Sequence, residues 1–180
     1  VVVAGSLPQG VSPAWLQALI ERLKHLGLNV ALDTSGAALR AALKAGPWLI
    51  KPNAEELAEV FDCAVESVTA QAEVASRLHA QGIEHVVISH GAQGVNWFSV
   101  GSAMHATPPK VSVASTVGAG DSLLAGMLHG LLSADTPEQT LRTATAIAAM
   151  AVTQIGFGIG DTAQLAQLEQ GVRVRPLTEQ

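Results

Sequence analysis

The sequence has few cysteines, aromatic residues and charges, and it has no long apolar run. Cys63 is the single cysteine, so an intrachain disulfide is excluded and the reducing cytoplasm is the simpler location. Tyrosine is absent, and all aromatic residues together make up 3% of the chain. No apolar run approaches the ~20 residues that a membrane helix needs. Disulfide-stabilised and membrane-spanning classes are therefore not expected.

Charge is also scarce, because charged residues make up 14% of the chain and the net charge is −5, with no basic run. Nucleic acid and anionic membrane surfaces are therefore not expected partners. A small anionic substrate stays open, since a local site can oppose the net charge. The 180 residues are 48% hydrophobic, which is enough for one domain with a core of Ala, Val, Leu and Ile.

Strand and helix patterns alternate along the chain, which predicts an α/β domain over residues 1–180 with a mainly parallel sheet. No composition shift marks an internal boundary. The predicted strands cover 1–3, 28–32, 48–50, 86–88 and 111–114, with a hairpin at 95–100 and 103–107. The predicted helices cover 13–26, 37–44, 54–61, 68–81, 120–132, 137–155 and 161–170, and Thr136 to Gln139 is read as a capping box.

Polar or small residues follow the end of each predicted parallel strand. Because the carboxyl ends of parallel strands meet at one edge, these residues are expected to share a rim where ligands bind. The need for polar turns explains about half of this pattern by itself. The segments are Gly5-Ser6, Asp33-Thr34-Ser35, Lys51-Pro52-Asn53, Ser89-His90-Gly91 and Ser115-Thr116.

The turn Gly118-Ala119-Gly120-Asp121 leads directly into a predicted helix. Small residues let backbone amides approach a ligand, and the free N–H groups of a helix start favour an anion such as phosphate. Asp121 is either a functional acid or only a partner of the helix dipole. The segment lacks the Lys-Ser/Thr of a P-loop, and Gly156 to Gly160 follows a helix and is read as a loop rather than a dinucleotide fingerprint.

The segment Lys51-Pro52-Asn53-Ala54-Glu55-Glu56 has two interpretations. Asn53 and Glu56 have the spacing of a helix cap. Alternatively, Lys51 contacts a phosphate while Asn53 and Glu56 bind Mg²⁺ or its waters through oxygen. Asp33, on the same predicted rim, is a candidate for a supporting position near that ion.

Four blocks resemble the PfkB (ribokinase-like) carbohydrate kinase family, and they occur in the family's order. The resemblance implies a three-layer α/β/α fold whose N-terminal sugar-binding part and lid are missing here, so the chain is expected to be the C-terminal, nucleotide-binding and catalytic portion of such a kinase. The blocks are Gly5 to Gly10, Lys51 to Glu56, Ser89 to Gly94, and the long signature Ser115 to Leu128.

The same resemblance implies a role for each matched residue. Asp121 is the catalytic base, and Gly118, Ala119 and Gly120 form the anion hole. Lys51 contacts the nucleotide phosphates, Asn53 and Glu56 belong to the magnesium motif, and Ser6 touches the phosphosugar. The remaining matched residues are expected to line the nucleotide: Ser89, His90, Gly91, Ala92, Gln93 and Gly94.

The ligands that the resemblance implies are ATP, Mg²⁺ and a small phosphosugar, with fructose 1-phosphate as the expected acceptor. Fructose 6-phosphate and tagatose 6-phosphate remain alternative acceptors, and a non-catalytic nucleotide-binding module remains an alternative function. Potassium is a further expectation, near Ser115, Val117, Gln154 and Gly156. Family members often dimerise through the lid, so a homodimer is expected of the longer enzyme rather than of this chain, whose independent activity the missing part puts in doubt.

Overall fold

The computed structural model describes residues 1–156 and 158–177, which form two compact units. The first unit contains residues 1–89 and 97–103, and the second contains residues 90–96 and 104–177. Seven helices and seven strands lie in the described residues. The strands are β1 Val2–Ala4, β2 Ala31–Asp33, β3 Leu49–Ile50, β4 His85–Ser89, β5 Val95–Ser99, β6 Ser102–Thr107 and β7 Arg173–Pro176.

Side chains cap the starts of five of the seven helices in the described residues. The bounds of all seven are α1 Pro13–His25, α2 Gly36–Leu43, α3 Ala54–Phe61, α4 Val68–Ala80, α5 Ala119–Leu132, α6 Pro137–Val152 and α7 Thr162–Gly171. Ser12 accepts a hydrogen bond from Trp15 N at 3.2 Å, with Pro13 at the first helical position. No helix in these ranges is long and apolar enough to cross a membrane.

The sheet is mixed, with strand order β1 to β7. Strands β1 to β4 pair in parallel, and the register places Ala4 beside Asp33 and Ile50 beside Val86. β6 and β7 pair antiparallel, with His105 opposite Arg175. The prediction of a mainly parallel α/β fold is confirmed for β1 to β4.

Each unit buries the apolar residues of its own strands and helices. In the first unit Leu16 and Ile20 of α1, Leu32 of β2 and Ile88 of β4 are fully buried. In the second unit α5 packs along α6 so closely that a Cβ atom on Gly126 would lie 2.5 Å from Ala144 Cα. Small residues at this contact therefore set the distance between the two helices.

The structure corrects three sequence predictions. Residues 111–114 are not a strand, because Ala114 N and Ser115 N both donate to Val152 O, at 2.7 and 3.3 Å, at the end of α6. β7 was not predicted, since its alternating Arg and Val residues follow a helix without a turn signal. The capping box at Thr136 is half formed: its hydroxyl accepts from Gln139 N, but the Gln139 side chain reaches Thr143 instead.

Candidate active site

The carboxyl ends of β1 to β4 form one polar edge in the first unit. Gly5 N donates to Asp33 O at 2.8 Å, and the Thr34 hydroxyl donates to Gly5 O at 2.9 Å. These bonds fix the turn that presents the exposed Ser6. Ser89 lies at the same edge, because its N–H donates to Pro52 O at 3.1 Å.

Lys51 lies at this edge, and its charged side chain is buried. Its side chain is only 6% exposed, and its Nζ lies 3.0 Å from Asp33 Oδ2, on a side chain that is 18% exposed. A buried ammonium needs such a counter-charge, because desolvation otherwise makes it costly. The geometry therefore gives Asp33 a definite role as the partner of Lys51.

Asn53 and Glu56 form a complete capping box at the start of α3. Asn53 Oδ1 accepts from Glu56 N at 2.8 Å, and Glu56 Oε2 accepts from Asn53 N at 2.9 Å. The capping interpretation is thus confirmed. The Glu56 carboxylate can still bind a further ligand, because a carboxylate offers about four lone-pair sites.

The donor set at this edge suits Mg²⁺ that arrives with a phosphate ligand. Within residues 1–156 and 158–177, no group of three or more His, Cys, Asp or Glu side chains could hold a metal by itself. Mg²⁺ does not need such a cage, because it keeps several waters and uses one or two carboxylates together with phosphate oxygens. The side-chain oxygens of Asn53 and Glu56 are consistent with that mode.

The Ser89–Gly94 loop contains a short 3₁₀ turn, Gly91–Gln93, and closes on itself. His90 N donates to Gly94 O at 2.8 Å, and Gly94 N donates to Gly91 O at 3.1 Å. Gly94 has φ +111° and no room for a Cβ atom against Ala106 O. The loop is therefore pressed onto β6, while Gly91, Ala92 and Gln93 are exposed.

The start of α5 differs from most other helix starts in the described chain. Side chains cap α1, α3, α4, α6 and α7, whereas the N-cap of α5 is Gly118, with φ +81° and no side-chain cap. Ala119 N donates to Thr116 O at 3.3 Å. The amides of Gly120 and Asp121 belong to the first turn, where N–H groups have no intrahelical acceptor. This is the amide arrangement of an anion site.

An open cleft of about 630 Å³ lies beside this helix start, within the second unit. Gly118, Asp121 and Ser122 form its polar end, and Ile147, Met150 and Ile159 contribute apolar walls. Asp121 is exposed at the polar end. Its carboxylate can therefore meet a ligand without any rearrangement of the helix.

The two segments that are expected to form a potassium site, residues 115–117 and 154–156, both lie in the second unit. Bonds from Ala114 N and Ser115 N to Val152 O join the start of one segment to the end of α6. Val117 N donates to Ser115 Oγ at 3.2 Å, and Gln154 Nε2 donates to Gly158 O at 2.7 Å. Gly156 and Gly158 to Gly160 are irregular, as predicted, and Phe157 lies outside the described residues.

The sequence-predicted site residues thus fall into two groups. The first unit holds Ser6, Lys51, Asn53, Glu56 and Ser89, and the second holds His90 to Gly94 together with Gly118 to Asp121. Ser115 and Thr116 do not end a strand, so they join neither group through the sheet. Sequence reasoning missed the buried Asn96 and its neighbour His105; an Asn inside the apolar strand β5 was the available signal.

Fold and site together define an α/β protein with an uncapped helix start and a polar sheet edge. Residues 1–163 match the family described as pfkB family carbohydrate kinase, and the chain belongs to that family. It is 46% identical to the 1-phosphofructokinases of Vibrio cholerae and Escherichia coli K12 over 176 residues, which is 98% of this chain and 56% of each relative. The chain therefore spans little more than half the length of these relatives.

Solved structures are similar to this chain as well. Phosphofructokinase-2 from Escherichia coli, in complex with potassium, aligns with a TM-score of 0.85 and 30% identity, covering 94% of this chain and 55% of that one. These findings confirm the family and the ribokinase-like fold that the sequence blocks predict.

Proposed function

We propose that residues 1–180 are the C-terminal, nucleotide-binding and catalytic part of an ATP-dependent phosphosugar kinase. The acceptor we favour is fructose 1-phosphate, which would give fructose 1,6-bisphosphate and ADP. The uncapped start of α5 with Asp121 in its first turn carries the proposal. The identity to 1-phosphofructokinases supports the choice of acceptor.

In the proposed reaction a sugar hydroxyl lies between Asp121 and the γ-phosphorus of ATP. The hydroxyl oxygen bonds to phosphorus, the bond from phosphorus to the leaving ADP oxygen breaks, and Asp121 accepts the hydroxyl proton. The amides at the start of α5 stabilise the charge on the transferring oxygens. Lys51 binds nucleotide phosphate, Ser6 contacts the phosphosugar, and the Ser89–Gly94 loop lines the nucleotide.

Mg²⁺ is proposed at Asn53 and Glu56, where it would neutralise phosphate charge when bound. Potassium is proposed near Ser115, Val117, Gln154 and Gly156, and the potassium complex of the Escherichia coli relative supports this. We also propose cytoplasmic action on a small-molecule substrate. Self-association of the longer enzyme is proposed, because phosphofructokinase-2 has a tetrameric form.

The test is Asp121→Asn in the full-length enzyme. A general base contributes on the order of 10²–10⁴-fold, so kcat is expected to fall at least 100-fold while ATP affinity persists. Asp135→Asn, at an exposed acid beyond the end of α5, is the matched control and is expected to keep kcat. Near-normal turnover of Asp121→Asn would remove the base assignment.

A substrate panel tests the acceptor. Fructose 1-phosphate, fructose 6-phosphate and tagatose 6-phosphate are compared by kcat/KM, and the first is expected to give the highest value. A higher value for a 6-phosphate would change the assigned substrate. ATP binding without phosphorylation of any of the three would identify a non-catalytic nucleotide-binding module.

A further inference from the structure

Four polar side chains form a chain of hydrogen bonds in the second unit. Thr107 Oγ1 lies 3.0 Å from His105 Nε2, and His105 Nδ1 lies 2.7 Å from Asn96 Oδ1. Asn96 Nδ2 lies 3.4 Å from His90 Nε2. Asn96 is 4% exposed, so the centre of this hydrogen-bond relay is buried, and one end of the relay lies in the Ser89–Gly94 loop.

The chemistry of each atom fixes the direction of every bond. An amide oxygen only accepts, so His105 Nδ1 must carry the proton that it donates to Asn96 Oδ1. His105 Nε2 is then an acceptor, and the Thr107 hydroxyl donates to it. An amide nitrogen only donates, so His90 Nε2 accepts from Asn96 and the ring proton of a neutral His90 must be on Nδ1.

The surroundings of both imidazoles favour the neutral form, which this hydrogen-bond pattern requires. Burial lowers the pKa of His90, and it is also the main cause that lowers the pKa of His105. Arg175, opposite His105 on β7, and His90 itself lower the pKa of His105 further. At neutral pH the relay therefore has one proton on each ring.

The Ser89–Gly94 loop and the relay both contact strand β6. Gly94 closes the loop against Ala106 O, and His105 is the preceding residue of β6. His90 N is bonded to Gly94 O at 2.8 Å, so the backbone of His90 is held from this side as well. Both the backbone position and the ring orientation of His90 are thus set by contacts outside any ligand.

We propose that Asn96 and His105 are positioning residues that hold His90 as an Nδ1–H donor, and that this N–H binds an acceptor oxygen of the nucleotide. The proposal rests on the proposed function, in which the Ser89–Gly94 loop lines ATP. It adds a specific donor atom in that loop and two residues that determine it, the buried Asn96 and the half-buried His105. His90 contacts the ligand, whereas Asn96 and His105 act through His90.

The first test reads the ring protons directly and does not depend on activity. Long-range ¹H–¹⁵N correlation spectra of the full-length protein with ¹⁵N-labelled histidine distinguish the Nδ1–H and Nε2–H tautomers. Both His90 and His105 are expected as Nδ1–H. Nε2–H on both rings would mean that the Asn96 amide points the other way, and it would overturn the proposal.

The second test replaces His90 by residues that keep a polar group near the position of one ring nitrogen. His90→Asn keeps a donor near the Nδ1 position, and His90→Gln keeps a polar group near the Nε2 position. We expect His90→Gln to weaken ATP binding on the order of 3- to 10-fold, the size of one hydrogen bond, and His90→Asn to restore much of it. His79→Gln, on α4, is the control and is expected to bind ATP as the wild type does.

The third test acts on the relay without touching the ligand. Asn96→Asp replaces the amide donor by an acceptor, so His90 is expected to move its proton to Nε2 and the KM for ATP to rise while kcat changes less than about 2-fold. Asn96→Leu removes the amide that donates to Nε2 of His90 at similar side-chain volume. It serves if Asn96→Asp does not fold, and the KM for ATP is expected to rise because His90 is no longer held as Nδ1–H. A shifted tautomer with unchanged KM for ATP in either variant would overturn the proposal.

Titration with ATP and with adenosine distinguishes phosphate from ribose as the acceptor of the His90 hydrogen bond. It also distinguishes failure of this inference from failure of the proposed function. A His90→Gln effect on ATP alone assigns a phosphate oxygen, and an effect on both ligands assigns a ribose oxygen. Equal binding by wild type and His90→Gln overturns the inference alone. A wild-type protein that binds no ATP overturns the proposed function, and with it the ligand of His90, while the tautomer spectra still decide whether the relay exists.

Discussion

Lys51 and Asp33 illustrate how a charge is kept inside the protein beside a proposed phosphate site. The sequence predicts Lys51 at the sheet edge, but it does not predict that Asp33 lies 3.0 Å from its Nζ. That contact depends on the parallel pairing of β2 with β3, which brings residues 18 positions apart into register. Tertiary pairing of this kind cannot be read from local pattern.

Asp33→Asn is expected to destabilise the protein by about 3 kcal/mol, because it leaves a buried ammonium without its counter-charge. Denaturant unfolding measures this free energy. The control is Asp62→Asn, which breaks the pair of Arg40 and Asp62 on side chains that are 49% and 79% exposed. An exposed pair contributes less than about 1 kcal/mol, so equal losses in the two variants would contradict the prediction.

His85 is a half-buried ionisable residue, and its ring contacts two indoles. Its ring centroid is 4.9 Å from that of Trp48 and 5.7 Å from that of Trp97. Burial lowers its pKa; Glu84 opposes this shift and His79 adds to it. Nδ1 of His85 is buried without a hydrogen-bond partner in the described part of the chain.

This environment predicts a loss of stability in acid. Since the pKa of His85 is lower in the folded state, the unfolded state binds more protons below about pH 6.5. The contribution of neutral His85 is therefore complete above that pH and is lost as the pH falls through the folded-state pKa. His85→Phe should flatten the dependence of unfolding free energy on pH between 7 and 5, whereas Phe98→Leu should run parallel to the wild type. Parallel curves for His85→Phe would contradict the assignment.

At the scale of elements, helix starts were predictable because their signals are local. Ser12, Asn53, Ser67 and Thr136 each cap the helix that follows. The predicted strand at 111–114 is wrong, because Ala114 N donates to Val152 O of α6 rather than to another strand. β7 was missed because its partner β6 is about 70 residues earlier in the chain.

The contact of α5 with α6 gives a prediction at this scale. Gly126→Ala would place a methyl group 2.5 Å from Ala144 Cα, so the helices must separate. Overpacking of this kind costs about 1–3 kcal/mol. Gly160→Ala is the matched control, because no atom lies within 4 Å of its added Cβ. Thermal unfolding should show a lower Tm for Gly126→Ala alone; no difference between the variants would contradict the close packing.

At the scale of the whole molecule, the family was predictable from the sequence, whereas the contacts of the proposed site residues were not. The blocks around Lys51, Ser89 and Asp121 lie at element ends, where sequence signals are strong, and they sufficed to predict the family. Asn96 and His105 lie on neighbouring strands, Asn96 buried and His105 half-buried, and only the fold reveals that they meet. Local chemistry is thus encoded in short segments, whereas its support comes from distant ones.

The strand β1 has one further consequence for the molecule as a whole. In the strand order of the described chain it pairs only with β2, and Val1 and Val2 are 55% and 52% exposed. Its outer row of main-chain N–H and C=O groups is therefore a template onto which another strand can add. A solution of the 180-residue chain by itself should thus tend toward edge-to-edge aggregation, and the tendency should grow with protein concentration.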